Sequence, residues 1–248
     1  MDLTVLGCAG TFPGPDSPCS SYLVEHDGFR LVVDLGAGSL GSLQRHAGLL
    51  DVDAVYVSHL HADHCIDLVA YSYARRYHPS GVPPQLPVYG PVGTAERICA
   101  AFETPPQHGL LDVFDFREVP VGEQQIGPFT VRSARSNHPV ECHALRLEAG
   151  GRSLTYSGDT GVSDDVVELA RDTDLFLCEA SWTDSPDNPP DVHLSGREAG
   201  EHAAKAGARR LMVTHMVAWA DVPTIVAEAT AAYGGDVERA ACGTTVTV

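Results

Sequence analysis

Short apolar runs separated by polar breaks dominate the first part of the chain. Residues 3–7 form a short apolar run typical of a buried strand. Residues 21–25 and 29–34 flank Asp27-Gly28, a dipeptide typical of a tight hairpin. Residues 54–57 are apolar and end just before His59. These patterns predict strands, and we expect further strands at residues 86–89, within 110–119, and at 129–133, 144–148, 153–156, 175–178, 211–214 and 237–248.

Longer amphipathic segments lie between the strands and predict helices. They cover residues 39–46, 66–77, 92–102, 162–170, 195–206 and 222–233. Ser39 and Ser195 are expected N-caps, and Glu198 stands three residues after Ser195, the spacing of a capping box. No linker or repeat interrupts the pattern, which predicts one domain over residues 1–248. The predicted fold class is α/β, with two mixed sheets packed face to face and helices on the outer faces.

Composition and charge limit the kinds of partner and the location that the chain is expected to have. The chain has 248 residues with 16 Lys+Arg against 33 Asp+Glu, a formal charge of −17. A long nucleic-acid surface usually needs a basic stripe, so none is expected here. No apolar run is long enough for a membrane span, and the first residues do not resemble a signal peptide. Seven scattered cysteines favour reduced thiols and a cytoplasmic location.

The segment His59-Leu60-His61-Ala62-Asp63-His64 carries four metal-capable side chains within six residues. Imidazole and carboxylate are expected ligands of zinc, manganese or iron. In an extended segment His59 and His61 point the same way, and Asp63 and His64 then turn toward a neighbouring point. The segment predicts two adjacent metal positions. The alternative is four solvated loop residues.

Three later residues are candidates to complete such a site. His138, Asp159 and His215 each follow a predicted strand, where loops build sites on rigid elements. Taken singly, each has an ordinary explanation, since an Asp after Ser-Gly is typical of a turn and a lone His is usually structural. Together with the hexapeptide they form a set of seven candidate metal ligands that matches a known family pattern.

With this set, the chain resembles the metallo-β-lactamase superfamily of αββα hydrolases along nearly its whole length. Glu179-Ala180-Ser181 and His193-Leu194-Ser195 are similar to motifs of the ribonuclease Z-like branch. More narrowly, the chain resembles the actinobacterial atypical class II cyclic-nucleotide phosphodiesterases. The segments that carry this narrower resemblance are Leu6-Gly7-Cys8-Ala9-Gly10, Gly14-Pro15-Asp16-Ser17-Pro18, Leu43-Gln44-Arg45-His46, Arg75-Arg76-Tyr77-His78-Pro79-Ser80 and Cys178-Glu179-Ala180-Ser181-Trp182.

The resemblance implies a ligand set and two divalent ions, zinc first, with manganese and iron as alternatives. The first metal would be held by His59, His61 and His138, and the second by Asp63, His64 and His215, with Asp159 bridging both. A hydroxide between the metals would be the nucleophile, and Asp63 would also orient it. Such a pair of ions suits in-line phosphoryl displacement.

The resemblance also gives His193 a catalytic role. It would stabilise the phosphate or protonate the departing 3′-oxygen. A positioned acid typically raises the rate by roughly 100- to 10,000-fold. Glu179 would hydrogen-bond the other ring nitrogen of His193 and keep the ring protonated. The alternative for His193 is an ordinary loop histidine packed on the surface.

The expected function is hydrolysis of a small anionic phosphodiester, chiefly 3′,5′-cyclic AMP, to the 5′-nucleotide. A second hypothesis is tRNA 3′ processing. Ribonuclease Z processing enzymes carry a long tRNA-gripping arm between the ligands that correspond to His138 and Asp159. Only 159 − 138 = 21 positions separate these two residues here, too few for such an arm, so this hypothesis is disfavoured. The same scaffold would also suit hydrolysis of a lactone, thioester or lactam, and a binding protein without activity is the remaining hypothesis. A homodimer is expected by analogy only.

Several other residues are weaker candidates. Arg75, Arg76, Trp182 and Trp219 could reach a substrate, although a solvated helix end and buried packing are the default explanations for these residue types. Where the superfamily usually has Gly three residues after the motif, this chain has Asp67, which we expect to alter the start of the following helix.

Overall fold

Two seven-stranded sheets and a two-stranded pair organise the part of the chain that the computed structural model describes, residues 1–102 and 110–248. The strands are β1 (Asp2–Gly7), β2 (Ala9–Gly10), β3 (Ser21–His26), β4 (Phe29–Val33), β5 (Ala54–Tyr56), β6 (Leu86–Gly90), β7 (Phe114–Glu118), β8 (Gly122–Ile126), β9 (Phe129–Arg135), β10 (His143–Ala149), β11 (Arg152–Tyr156), β12 (Leu175–Glu179), β13 (Leu211–Thr214), β14 (Met216–Val217), β15 (Val237–Arg239) and β16 (Thr245–Thr247). The helices are α1 (Ser39–Leu43), α2 (Ala62–Cys65), α3 (Asp67–Arg76), α4 (Thr94–Ala101), α5 (Asp164–Leu169), α6 (Gly196–Ala206) and α7 (Val222–Tyr233). None of these helices has the length and apolar character needed to cross a membrane.

Both large sheets are mixed. The first has the order β16-β1-β3-β4-β5-β6-β7, and the second has the order β15-β13-β12-β11-β10-β9-β8. Strands β4 to β7 are parallel, and so are β11, β12, β13 and β15. The short strands β2 and β14 pair in parallel and join the loops that follow β1 and β13.

Alternation along the strands produces three apolar layers. On β3, Tyr22 and Val24 belong to the cluster between the two sheets, which also contains Leu145 of the second sheet. Leu23, between them, faces the outer cluster that includes residues of α3 and α4. A third cluster packs α5, α6 and α7 on the second sheet. The predicted four-layer αββα sandwich is therefore confirmed.

Two local predictions were wrong. Ser39 is not the N-cap of α1. Gly38 occupies that position with φ 86°, and the Ser39 hydroxyl donates to the carbonyl of Gly36. The first turn instead uses Asp67, whose carboxylate accepts the Leu40 N–H at 2.9 Å. Asp67 thus fixes α1 to the start of α3. Strand β8 was also missed, because it is a polar edge strand with little apolar alternation.

Helix α6 begins just after His193 and is fixed at its start by the predicted capping box. The Ser195 side chain accepts from the Glu198 N–H, and the Glu198 carboxylate accepts from the Ser195 N–H. Further along, α6 packs on α7 through glycine. A Cβ on Gly200 would overlap the carbonyl oxygen of Ala229.

We therefore expect Gly200→Ala to force α6 and α7 apart and to lower the free energy of unfolding by about 1–3 kcal/mol, the usual cost of overpacking. Gly41→Ala is the control, since Gly41 lies in α1 and a Cβ there would meet nothing within 4 Å. That change should be neutral or stabilising by about 0.5–1 kcal/mol. Urea unfolding measures both, and equal stability of the two variants would contradict this packing.

Candidate active site

Candidate ligands follow the ends of strands from both large sheets. His59 lies just beyond β5, Asp159 beyond β11 and His215 beyond β13. His138 lies between β9 and β10, and His61 is the N-cap of α2, which contains Asp63 and His64. The carboxyl ends of parallel strands are a usual place for a site, because loops converge there.

The first group brings four side chains together. His59 Nε2 lies 3.1 Å from His61 Nδ1, and His138 Nε2 lies 3.2 Å from the same atom. Asp159 Oδ2 lies 3.5 Å from His59 Nε2. One ligand atom from each of the four lies within 4.8 Å of the other three.

The second group shares Asp159 with the first. His64 Nε2 lies 3.2 Å from His215 Nε2, and His215 Nε2 lies 3.2 Å from Asp63 Oδ2. Asp159 Oδ1 lies 3.2 Å from His64 Nε2. The two oxygens of Asp159 therefore face different groups, and all seven residues expected as ligands meet in one place.

Outward-facing hydrogen bonds fix the ring orientation of two histidines. His64 Nδ1 donates to Asp34 Oδ2 at 2.7 Å, and His138 Nδ1 donates to the Val192 carbonyl at 2.9 Å. A neutral imidazole that donates from Nδ1 carries a lone pair on Nε2. In both rings that lone pair points into the cluster.

Two serines do the same for His59 and His215. Ser58 and Ser181 donate their hydroxyl protons to carboxylates, so their oxygens are free to accept from Nδ1 of His59 at 3.1 Å and of His215 at 3.0 Å. Four inward Nε2 atoms thus present lone pairs at the centre. Polar partners behind histidine ligands are typical of metal sites.

The cluster fits divalent cations better than it fits an internal hydrogen-bond network. The Nε2 atoms of His64 and His215 approach each other at 3.2 Å although both rings already donate from Nδ1. Asp159 Oδ1 is buried and accepts no hydrogen bond within the described residues. Mixed imidazole and carboxylate donors suit zinc, manganese or iron.

Electrostatics point the same way. Burial and repulsion from His64 lower the pKa of His59 well below its usual range. Burial opposes protonation of His64 as well, but the carboxylates of Asp159 and Asp34 outweigh it and raise its pKa. For Asp159, burial is outweighed by His215 and His64, which hold its pKa well below the usual range. The Asp159 carboxylate is therefore ionised and favours positive charge beside it.

His193 lies at the side of this cluster, held by Glu179. Its Nδ1 lies 3.0 Å from Glu179 Oε1, and the Glu179 carboxylate also accepts the backbone N–H groups of Thr160 and Leu194. Burial disfavours the charged ring, but Glu179 raises the pKa of His193 to about 9. The Trp182 ring packs nearly perpendicular to His193, with centroids 5.2 Å apart.

Asp34 is a participant that the sequence patterns did not single out. It is fully buried at the end of β4, with φ 58°, and it accepts hydrogen bonds from Ser58, Tyr156 and His64. A carboxylate directly after an apolar strand was the available signal, the same one that marked Asp159.

The two arginines of the weaker set lie outside the cluster. Arg75 is buried and donates to the carbonyl of Pro84, and Arg76 pairs with Asp112. Trp182 contacts His193, and Trp219 is exposed.

Comparison with known proteins identifies the family. The beta-lactamase superfamily domain matches residues 30–216. The chain belongs to the beta-lactamase superfamily. A crystal structure of the metallo-β-lactamase fold protein YhfI from Bacillus subtilis matches this superfamily member with a TM-score of 0.89 and 27% identity, over 99% of this chain and 98% of that one. YhfI is described as a probable metallo-hydrolase.

Two further relatives of this superfamily member are mycobacterial. An uncharacterized protein of Mycobacterium tuberculosis, Rv1339, is 46% identical over 99% of this chain and 92% of its own length. A ribonuclease Z of Mycobacterium bovis is 31% identical over 88% of this chain and 86% of its own length.

Removing the Asp34 carboxylate should weaken metal binding. We expect Asp34→Asn to lower the affinity of the position that contains His64 by about 10- to 100-fold, since the amide no longer orients that ring as a carboxylate does. Titration against a chromophoric chelator measures the change. Asp172→Asn is the control, because Asp172 has a similar φ of 54° but is exposed. Wild-type affinity in Asp34→Asn would contradict the orienting role.

Proposed function

We propose that this protein is a dinuclear metal-dependent phosphodiesterase that hydrolyses a 3′,5′-cyclic nucleotide, chiefly cyclic AMP, to the nucleoside 5′-monophosphate. The observation that carries the proposal is the pair of ligand groups sharing Asp159, with His193 and its partner Glu179 beside them. A cation pair suits the charge of a phosphodiester, and a donor at its side suits the departure of an alkoxide.

Within this proposal each ligand keeps its expected place. His59, His61 and His138 would hold one ion, Asp63, His64 and His215 would hold the other, and Asp159 would serve both. Zinc is the first choice, with manganese and iron as alternatives. Bound ions would supply Lewis acidity toward the phosphate oxygens and would make a water molecule more acidic.

Asp63 orients the attacking water. Its carboxylate is held by the backbone N–H of Thr11 at 2.9 Å and lies beside His215. A carboxylate oxygen held in place by a backbone donor is a directed acceptor for a water proton.

His193 acts as the general acid toward the leaving group. The water oxygen forms a bond to phosphorus, the bond from phosphorus to the 3′-oxygen breaks, and His193 donates its Nε2 proton to that oxygen. Glu179, on Nδ1, keeps the ring oriented and stabilises its positive charge. The product is the 5′-monophosphate with a free 3′-hydroxyl.

Charge and topology favour a small substrate. The chain carries a formal charge of −17, and long polyanions need distributed basic contacts. The hairpin of β10 and β11 occupies the segment between His138 and Asp159. Seven free cysteines accord with a cytoplasmic location, which forms part of the proposal.

A second candidate function is tRNA 3′ processing. The observation in its favour is the 31% identity with the ribonuclease Z of Mycobacterium bovis. The acidic charge and the short segment before Asp159 count against it.

The test is a substrate panel on metal-loaded protein with cyclic AMP, cyclic GMP, bis-p-nitrophenyl phosphate, a pre-tRNA and a p-nitrophenyl ester. We expect the wild type to convert cyclic AMP to AMP. His193→Ala should lower kcat on cyclic AMP by about 100- to 10,000-fold but should reduce hydrolysis of bis-p-nitrophenyl phosphate much less, because nitrophenolate departs without a proton. His46→Ala, outside the cluster, is the matched control.

Each arm has a decisive outcome. Cleavage of the pre-tRNA with cyclic nucleotides left intact would favour the second candidate. Full ester hydrolysis by His193→Ala, without phosphodiester hydrolysis in the wild type, would indicate a carbonyl substrate. Equal losses on both phosphodiesters would contradict the role of His193 as an acid.

A further inference from the structure

An exposed aromatic pair, Phe12 and Trp219, stands apart from the apolar core. Trp219 is 78% exposed, the largest exposed fraction among the large apolar residues that the structure describes. Its ring centroid lies 4.8 Å from that of Phe12, with the planes inclined by 37°. Phe12 therefore supports one side of the indole, and most of the indole remains in water.

The backbone connects this aromatic pair to the candidate ligands. Phe12 follows Thr11, whose N–H donates to Asp63 at 2.9 Å. Trp219 comes four residues after His215. Strand β2, which ends two residues before Phe12, pairs in parallel with β14, which ends two residues before Trp219. Both rings therefore stand on loop segments tied to the side of the cluster that contains Asp63 and His215.

Short turns hold both rings. The N–H of Phe12 donates to the carbonyl of Gly10 at 2.7 Å, and the N–H of Ala220 donates to the carbonyl of Val217 at 2.9 Å, which encloses Trp219 in a turn. A surface fixed before binding loses little conformational entropy when a ligand arrives.

The chemistry of the substrate matches this placement. In a cyclic nucleotide the phosphate accounts for the charge, and the remainder is a sugar carrying a flat heteroaromatic base. Bases stack on aromatic side chains because every base has a π-face. An acidic chain offers an anionic substrate little attraction outside the metal centre, so the base is the remaining source of affinity.

We propose that Phe12 and Trp219 form the nucleobase-binding surface of this enzyme, with the base stacked on the indole while the phosphate lies at the metal cluster. The proposal rests on the proposed function. It makes the aromatic pair the determinant that favours nucleotides over phosphodiesters that lack a base.

The test measures binding separately from turnover. Isothermal titration of metal-loaded protein with AMP, and with ribose 5-phosphate, compares the wild type with Trp219→Ala and Trp219→Phe. We expect Trp219→Ala to weaken AMP binding by about 5- to 150-fold, the loss typical of one stacked base. Trp219→Phe should lose much less, and ribose 5-phosphate should bind all three proteins equally.

Kinetics supply a second readout. Trp219→Ala should raise KM for cyclic AMP by a similar factor and change kcat much less. Tyr77→Ala is the matched control, since Tyr77 is an exposed aromatic residue (70%) at the C-terminal end of α3. Its KM should equal that of the wild type.

Equal AMP affinity in the wild type and Trp219→Ala would overturn the stacking surface even if cyclic AMP is hydrolysed. If AMP binding depends on Trp219 but the wild type hydrolyses no cyclic nucleotide, the surface stands and the proposed function fails. A change of oligomeric state in Trp219→Ala with unchanged AMP affinity would overturn it as well, and would assign the pair to a contact between copies of the chain.

Discussion

The buried carboxylate of Asp159 is the interaction on which the whole arrangement depends. It faces His59 with one oxygen and His64 with the other, so a single side chain joins two groups from different parts of the fold. An isolated buried carboxylate would be costly. Here His215 and His64 offset that cost and hold the pKa of Asp159 well below its usual range, so the carboxylate is ionised and attracts cations.

The fold makes that convergence possible. Two mixed sheets face each other, and the loops after their strands meet at one edge. Behind the inward ring atoms lies a layer of polar partners, of which Asp34 and Ser181 are examples. Because these partners fix the Nδ1 protons, the inward Nε2 atoms are already oriented to coordinate a cation before one binds. Rigidity of this kind favours catalysis by positioning.

Sequence patterns predicted the architecture and most of the cluster. The hexapeptide from His59 to His64 is informative because it concentrates donors after one strand. His138 became meaningful only together with the others. Asp34 was missed because one carboxylate beside glycines also suits a turn, and its hydrogen bonds come from residues distant in the chain. The same limit applies to Phe12, whose neighbour Trp219 is brought close by a pairing between β2 and β14 that no local pattern indicates.

The proposed chemistry requires that one chain hold two divalent ions that share Asp159. Anomalous diffraction from crystals of gently purified protein, collected above and below the absorption edge of the metal found by elemental analysis, tests it most directly. Two peaks are expected within the cluster, with Asp159 contacting both. No peak there, or a single ion that does not contact Asp159, would contradict it.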